Sequence, residues 1–508
     1  MAHLFVDLPA GNEPVYLFDA AGKKYRQVLW GDWLEIDPAD DGVSPMVAVR
    51  WSWNDPDPAK RKLLTIERRF TAAKRPLEII FVDVGQGDGS VLITPERDAN
   101  ERIIVIDAGE GDHMCDFLTG RFQSYRKKSN FSAAVITHPD KDHYYGFKKI
   151  FESKAITFDT LYHSGLVERP GGAKWEFVGT KVKDPVSGDS FVEDLMLTDP
   201  AMRAAFDPAV AGAGDFAATV RAAIGNNAVK AFEILSTQHG KQEAGKAWMP
   251  SFAPSDNRGY TIEILGPWME RNAADEPRLR VLGSYGETKN GHSVLLRLNY
   301  KNFRVLFGGD LNLRAEKFLL TRYAGLKDWP PLEDREAMVA AARPFFRAEI
   351  MKVCHHGSSD VTDEFLEAVS PAAFVISSGD EEGHVHPRPD LLGRLGKKGR
   401  GSSPVLLSTE LQRSTRDRED AKRVEKLTKA VKQLRLTPDD AQRDAIIKEI
   451  EALGGSNVDV DGAIYVKTDV DRLIAAFKKE TGSATDKWFW FSYLVRDGRL
   501  IRDGVTAE

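Results

Sequence analysis

The feature that most constrains this chain is a recurrent pairing. Short apolar, β-branched runs are each followed at once by glycine, aspartate or histidine. Leu77–Val84 runs into Gly85, Arg102–Ile106 into Asp107-Ala108-Gly109, and Ala133–Ile136 into Thr137-His138. Phe303–Phe307 runs into Gly308-Gly309-Asp310, Glu349–Val353 into Cys354-His355-His356, and Ala372–Ser377 into Ser378-Gly379. Runs without polar alternation read as strands buried on both faces, which points to an α/β architecture. In such sheets, ligands collect outside the strand ends. Length permits this: 508 residues hold two to four domains, or one large domain with insertions.

The texture changes at three places. Residues 1–75 contain Val15–Phe18, Val28–Ile36, Met46–Trp53 and Leu63–Phe70, short strand-like runs divided by turn residues. They read as a small β-barrel or sandwich, a domain separate from 76–508. Residues 165–260 are rich in Gly, Ala and Asp, with helix-like segments at Asp215–Ile224 and Ala228–Leu235, and read as an insertion. Residues 411–455 form a highly charged insertion. There Val424, Leu427, Val431 and Leu434 share a helical stripe, Thr437-Pro438-Asp439-Asp440 is a helix start, and a helical hairpin follows. Trp488–Ile501 reads as a hairpin turning at Asp497-Gly498.

Composition excludes several classes. Lys+Arg is 70 against Asp+Glu 76, a net charge of −6, which argues against a dedicated basic nucleic-acid coat but permits a local basic groove. Two cysteines, Cys115 and Cys354, rule out a disulfide framework and a Cys-rich zinc module. No secretory pattern and no apolar run of membrane-spanning length is visible, so the expected location is the cytoplasm, without a membrane partner.

The chemistry gathers at the strand ends. Thr137-His138-Pro139-Asp140-Lys141-Asp142-His143 packs four potential ligands into six positions. A loop there can present imidazoles and carboxylates to one or two divalent metals, the structural alternative being a solvated acidic turn. His292 precedes one strand. Asp310 and the His355-His356 pair each end another, and His384 and His386 follow the strand ending at Ser377.

In this order the motifs resemble the metallo-β-lactamase superfamily, and within it the branch containing the hydrolase domain of ComEC-type DNA-uptake proteins. Phe81-Val82-Asp83-Val84-Gly85-Gln86-Gly87-Asp88 and Ile106-Asp107-Ala108-Gly109 match its opening strands. His138–His143 matches its variant of the superfamily's main metal motif. Leu306–Asp310, Lys352–Ser358, His386-Pro387 and Gly462-Ala463-Ile464 match its later ones. The resemblance covers roughly residues 77–165, 260–410 and 458–468.

The resemblance implies a four-layer α/β/β/α sandwich with two divalent metal ions at one edge. His138, Asp140 and His292 would hold one metal. Asp142, His143 and one of His355 and His356 would hold the other, with Asp310 bridging both. A hydroxide between the metals would be the nucleophile. Asp140, a harder ligand than the usual histidine, shifts preference from Zn²⁺ towards Mn²⁺ or Mg²⁺. His384 or His386 would protonate the leaving oxygen, and Lys352 would either neutralise phosphate or pack its stem beside the site. Asp83, Asp107 and Asp88 would orient ligands. The branch usually carries a small polar residue where this chain has His292, and it has a membrane channel that this chain lacks.

The expected function is therefore a metal-dependent phosphodiesterase or nuclease acting on nucleic acid or a nucleotide. The alternatives are a small cyclic-nucleotide phosphodiesterase and a lactonase or β-lactamase-like hydrolase. A binding protein recruiting partners through the N-terminal β unit is the third class. Oligomeric state is not legible.

Overall fold

The structure is a computed structural model. It describes residues 3–9, 13–53, 55, 57–122, 129–171, 174–210, 212–379, 386–401, 404–409, 428–439, 442–447, 462–479, 483–496 and 499–502.

Two large mixed sheets dominate it. The ten-stranded sheet runs in the order Val229–Ile234, Ile156–His163, Ser129–Val135, Ile103–Ala108, Gly89–Ile93, Leu77–Phe81, Ile464–Thr468, Arg472–Lys478, Trp488–Arg496, Arg499–Arg502. The eight-stranded sheet runs Lys241–Glu243, Lys246–Trp248, Thr261–Gly266, Leu295–Tyr300, Phe303–Phe307, Ile350–Lys352, Ala373–Ile376, Val405–Ser408. The period of two along each strand decides where side chains go. Ile79, Phe81, Ile104 and Val135 of the first sheet form one buried cluster with Leu296, Val305, Ile350 and Val375 of the second. The intervening Ile80, Val105 and Ala134 pack instead with Leu118, Phe147, Ile150 and Val220 of helices. Leu306, Met351 and Phe374 pack with Leu319, Val339, Phe365 and Leu395, also helical. Both faces of each central strand are thus apolar, which is why those stretches show no polar alternation.

The N-terminal residues form a three-stranded sheet (Trp33–Glu35, His3–Val6, Thr71–Ala72) and a four-stranded one (Lys24–Val28, Val15–Phe18, Lys62–Glu67, Met46–Trp51). Val6, Leu17, Val47, Val49 and Ile66 share a core there. The stretch read as one strand over Val28–Ile36 is broken at Leu29–Asp32, where Gly31 takes φ 83°. This unit is fastened to the rest by buried polar contacts. Lys467 Nζ donates to the Trp30 carbonyl at 2.6 Å, and Gln27 Oε1 accepts from the backbone N–H of Lys487 and Trp488.

The 165–260 stretch needs a correction. Asp215–Gly225 is a helix as expected, but Ala228–Leu235 is not. Val229–Ile234 is a strand that pairs in parallel with Ile156–His163 at the edge of the large sheet. Val229, Phe232 and Ile234 are buried while Lys230 and Glu233 face solvent, a spacing that mimics a helical stripe over so few residues. Lys241–Glu243 and Lys246–Trp248 likewise belong to the second sheet.

Of 411–455, residues 428–436 and 442–447 are helical, and the Asp439 side chain accepts from the Gln442 N–H at 2.8 Å, as the helix-start reading requires. Val424, Leu427 and Asp440 lie outside the described residues. The C-terminal hairpin is present, with Arg496 opposite Arg499, although Asp497 and Gly498 themselves are not described. Among the described residues no helix is long and apolar enough to cross a membrane.

Candidate metal centre

Five strands, parallel to their neighbours within each of the two sheets, deliver the site. Ile103–Ala108, Ser129–Val135, Phe303–Phe307, Ile350–Lys352 and Ala373–Ile376 run in the directions that place Asp107, Thr137–His143, Asp310, His355-His356 and Ser377 at or just beyond their carboxyl ends.

The His138–His143 loop is held from two sides. Asp107, in a left-handed conformation (φ 56°), accepts the Thr137 N–H at 2.8 Å and the Thr137 hydroxyl at 2.7 Å. The turn containing Gly87 supports the other side. A Cβ at Gly87, whose φ is 106°, would lie 1.8 Å from the Asp142 carbonyl oxygen, so only glycine allows the approach.

Two histidines face each other with their far nitrogens occupied. His143 Nδ1 lies 2.9 Å from Asp107 Oδ2. His356 Nδ1 lies 3.1 Å from both Asp88 Oδ1 and the Ser377 carbonyl. A proton shared with a carboxylate on Nδ1 leaves the Nε2 lone pair for a ligand bond. The two Nε2 atoms are 3.3 Å apart, and each is 3.3 Å from Asp310 Oδ2. Asp142 Oδ2 is 3.2 Å from His356 Nε2. For metal–ligand bonds of about 2.0–2.1 Å, the edge of a tetrahedron is about 3.3–3.4 Å. These donors therefore stand at ligand-to-ligand spacing.

A second pair of histidines approaches Asp310 from further out. His138 Nε2 is 3.9 Å and His355 Nε2 4.0 Å from Asp310 Oδ2, and His138 Nε2 is 3.6 Å from Asp140 Oδ2. His355 and His356 both adopt left-handed backbone (φ 51° and 53°). Consecutive residues so placed point to different sides, so both reach the cluster. His138 Nε2 and Asp310 Oδ1 are buried and make no hydrogen bond among the described residues. Buried polar atoms are ordinarily partnered, so these atoms and the donor spacing fit a divalent cation.

Burial works against ionisation of Asp310, but His356, His143 and His355 overcome it and hold the carboxyl well below its ordinary range. Burial likewise opposes charge on His143 and His356, yet Asp310 and its neighbouring carboxylates hold both well above the ordinary histidine range. Asp140 is held down to about 2, burial being outweighed by His138 and Lys289. The carboxylates and imidazoles of the cluster thus stabilise one another's charged forms.

His292 does not join the site. It terminates the helix Tyr285–Gly291, is buried, and its Nε2 lies 2.7 Å from the Arg280 carbonyl. The next residue, Ser293, faces the cluster instead. Its hydroxyl accepts the Asp310 N–H at 3.1 Å, donates to the Asn290 carbonyl at 2.7 Å and lies 3.3 Å from His138 Nδ1. Lys352 is also placed differently from a phosphate-neutralising lysine. It is buried, with its ammonium on Asp88 and 3.2 Å from the Gly309 carbonyl. The His386 ring centroid is 6.1 Å from that of His355. His384 lies outside the described residues.

Asp107 takes the orienting position expected of it. Asp88 is closer in than expected: one ligand atom each from Asp88, His143, Asp310 and His356 lie within 4.8 Å of one another. Asp83 is buried and accepts the Gly85 N–H at 3.1 Å. Two residues at the centre were not foreseen. Lys289 Nζ is bonded to Asp140 Oδ1 and lies 2.7 Å from Glu168 Oε1. Lys289 sits three residues before His292 and could have been noticed, but Glu168 carries no local signal at all.

No family model and no curated protein matches the chain. Among solved structures, a chain from Parabacteroides distasonis ATCC 8503, named as a candidate metal-dependent hydrolase, aligns with 12% identity and a TM-score of 0.27. The match covers 66% of this chain and 93% of that one. A likeness at this level carries no argument, and the site stands on its own geometry.

Proposed function

We propose that this chain is a metal-dependent hydrolase and that the bond it cleaves is a phosphodiester. One observation carries the metal reading. His143 Nε2, His356 Nε2 and Asp310 Oδ2 stand 3.3 Å from one another, and the opposite nitrogen of each histidine is already committed. A divalent ion held by these atoms and Asp142 would supply Lewis acidity and bring the pKa of a coordinated water towards neutrality.

The protein's own groups do the rest. Asp107 and Asp88 fix the two rings. Asp142, the part-exposed carboxylate of the inner set, accepts the proton of the attacking water. His386, beside His355, donates to the leaving oxygen. An anionic phosphodiester gains from a cation that neutralises charge in the transition state, whereas a neutral lactam or lactone gains less. The carboxylate-rich set favours Mn²⁺ over Zn²⁺, with nucleic acid or a nucleotide as substrate. We read the helix-faced sheets as the four layers of a metallo-β-lactamase-type sandwich, with 1–75 as a separate β domain. Two buried free cysteines are consistent with a reducing, cytoplasmic setting.

The test is turnover of bis-p-nitrophenyl phosphate against nitrocefin and a chromogenic lactone, each with Mn²⁺ and with Zn²⁺. Phosphodiester cleavage that is lost on chelation is expected. Faster lactam or lactone turnover under both metals, with no phosphodiester cleavage, would overturn the substrate assignment.

A further inference from the structure

The outer half of the cluster already contains a cation. Asp140 is shared among three neighbours: Oδ2 faces His138 Nε2 at 3.6 Å and receives the Asn290 side-chain amide at 2.8 Å, and Oδ1 receives the Lys289 ammonium. That ammonium is boxed in. Glu168 Oε1 lies 2.7 Å away, the Pro139 carbonyl 3.4 Å, and the Tyr285 ring centroid 4.9 Å; the side chain is 9% exposed. Its three N–H donors match those three oxygen partners, so nothing frees it to swing away. The Tyr285 hydroxyl, 3.4 Å from Glu168 Oε1, adds a further contact on the arrangement.

The two halves of the cluster differ accordingly. In the inner half, Asp88, Asp142 and Asp310 are set against one fixed ammonium, Lys352 on Asp88, so a dication there meets an excess of two carboxylates. In the outer half, His138, His355 and Asp140 form the available set, but Asp140 shares the Lys289 ammonium with Glu168, which leaves an excess of only one negative charge there. The donors are also looser there, at 3.6–4.0 Å against 3.2–3.3 Å. A dication on Asp140 Oδ2 would share that carboxylate with the fixed positive charge on Oδ1, and like-charge repulsion opposes it.

We propose that Lys289 is a resident cation occupying the electrostatic place of a second metal, so that the chain holds one tightly bound divalent ion in the inner half and a second only weakly. This rests on the metal reading given under Proposed function, and it departs from the two-ion centre that the sequence resemblance implies. Lys289 is here a positioning residue that acts through Asp140.

The test counts metal. Purified chain is stripped with chelator, loaded with Mn²⁺, dialysed and analysed for metal per chain, and Mn²⁺ is titrated calorimetrically into the stripped protein. One retained ion per wild-type chain is expected, with any second ion at least about tenfold weaker. Lys289→Met should tighten the second event at least about tenfold and raise the retained count to two, whereas Lys289→Arg, which keeps the charge, should stay at one. Two equally tight ions in wild type, or a Lys289→Met titration identical to wild type, would overturn the inference while leaving the metal reading intact. No ion retained by wild type would overturn both. Unchanged first-site affinity in Lys289→Met reports that it is folded, and if that affinity is lost the wild-type count decides alone.

Discussion

Glu316 offers a quantitative test of how the site is braced. It lies in the helix Leu313–Tyr323, which starts just after Asp310, and its Oε2 accepts from the Thr362 N–H at 2.5 Å and the Thr362 hydroxyl at 2.8 Å. It thereby ties the Asp310 loop to the segment that follows His355-His356. Its other oxygen is buried and makes no hydrogen bond among the described residues. Burial, only partly offset by the Thr362 bonds, raises its carboxyl from 4.5 to about 8. The folded state therefore keeps the proton when the unfolded chain has lost it, so stability must fall as pH rises from about 4.5 to about 8. Linkage between those two values gives a loss of about 3 kcal/mol on going from about pH 5.5 to about pH 8. Glu316→Gln keeps the accepting oxygen and cannot ionise. Urea unfolding of both proteins in chelator across that range should show wild type losing about 3 kcal/mol more than the variant, since every other titrating group is common to both and cancels. Parallel pH profiles would refute the claim that Glu316 is buried and neutral.

The remaining predictions concern the centre itself. Asp310→Ala or Asp142→Ala should leave a folded chain with less than about a tenth of wild-type turnover, a loss above about 1.4 kcal/mol of transition-state stabilisation; a larger residual rate contradicts their roles. Asp107→Asn weakens the hold on His143 Nδ1 and should lower metal affinity about 10–100-fold with little change in fold, as read by calorimetry. His292→Gln should leave metal content unchanged while His356→Ala abolishes it; metal loss in the His292 variant would restore the ligand set that the sequence resemblance implied. Gly87→Ala forces a methyl group onto the Asp142 carbonyl and should lower the melting temperature, with a penalty of about 1–3 kcal/mol or more, and reduce metal affinity together.

What could be read from the sequence followed from how local each signal was. Buried strands with no polar alternation announced the sheets, and histidines and aspartates directly after them announced the strand-end cluster. His138–His143, Asp310 and the His355-His356 pair all needed nothing but proximity to a strand end. The failures came where tertiary geometry decides. Ala228–Leu235 reads as helical because the edge strand within it, Val229–Ile234, with Lys230 and Glu233 facing solvent, shows the same spacing as a helix face. His292 sits one position from the residue that matters, and a one-residue shift at the end of the helix Tyr285–Gly291 sends it to the Arg280 carbonyl while Ser293 takes the inner place. Glu168 acts on the centre from 121 positions before Lys289, and no pattern links the two.

The left-handed residues show what such a centre demands of its backbone. Asp107, His355 and His356 all have φ between 51° and 56°, a region that non-glycine residues seldom occupy. Three such residues meet at one point, and each serves a definite end. Asp107 turns back to grip Thr137 and His143 together. His355 and His356, adjacent in sequence, are splayed so that one approaches Asp310 at 4.0 Å from the outer side and the other at 3.3 Å from the inner side. An extended pair would alternate across the strand and an αR pair would stagger along one helical turn, so neither places both imidazoles around one carboxylate. Backbone strain of this kind persists only where the surroundings over-determine it. Here they do so through the buried Lys352–Asp88 pair behind His356, the Ser377 carbonyl on its Nδ1, and the Glu316–Thr362 brace that anchors the chain beyond it.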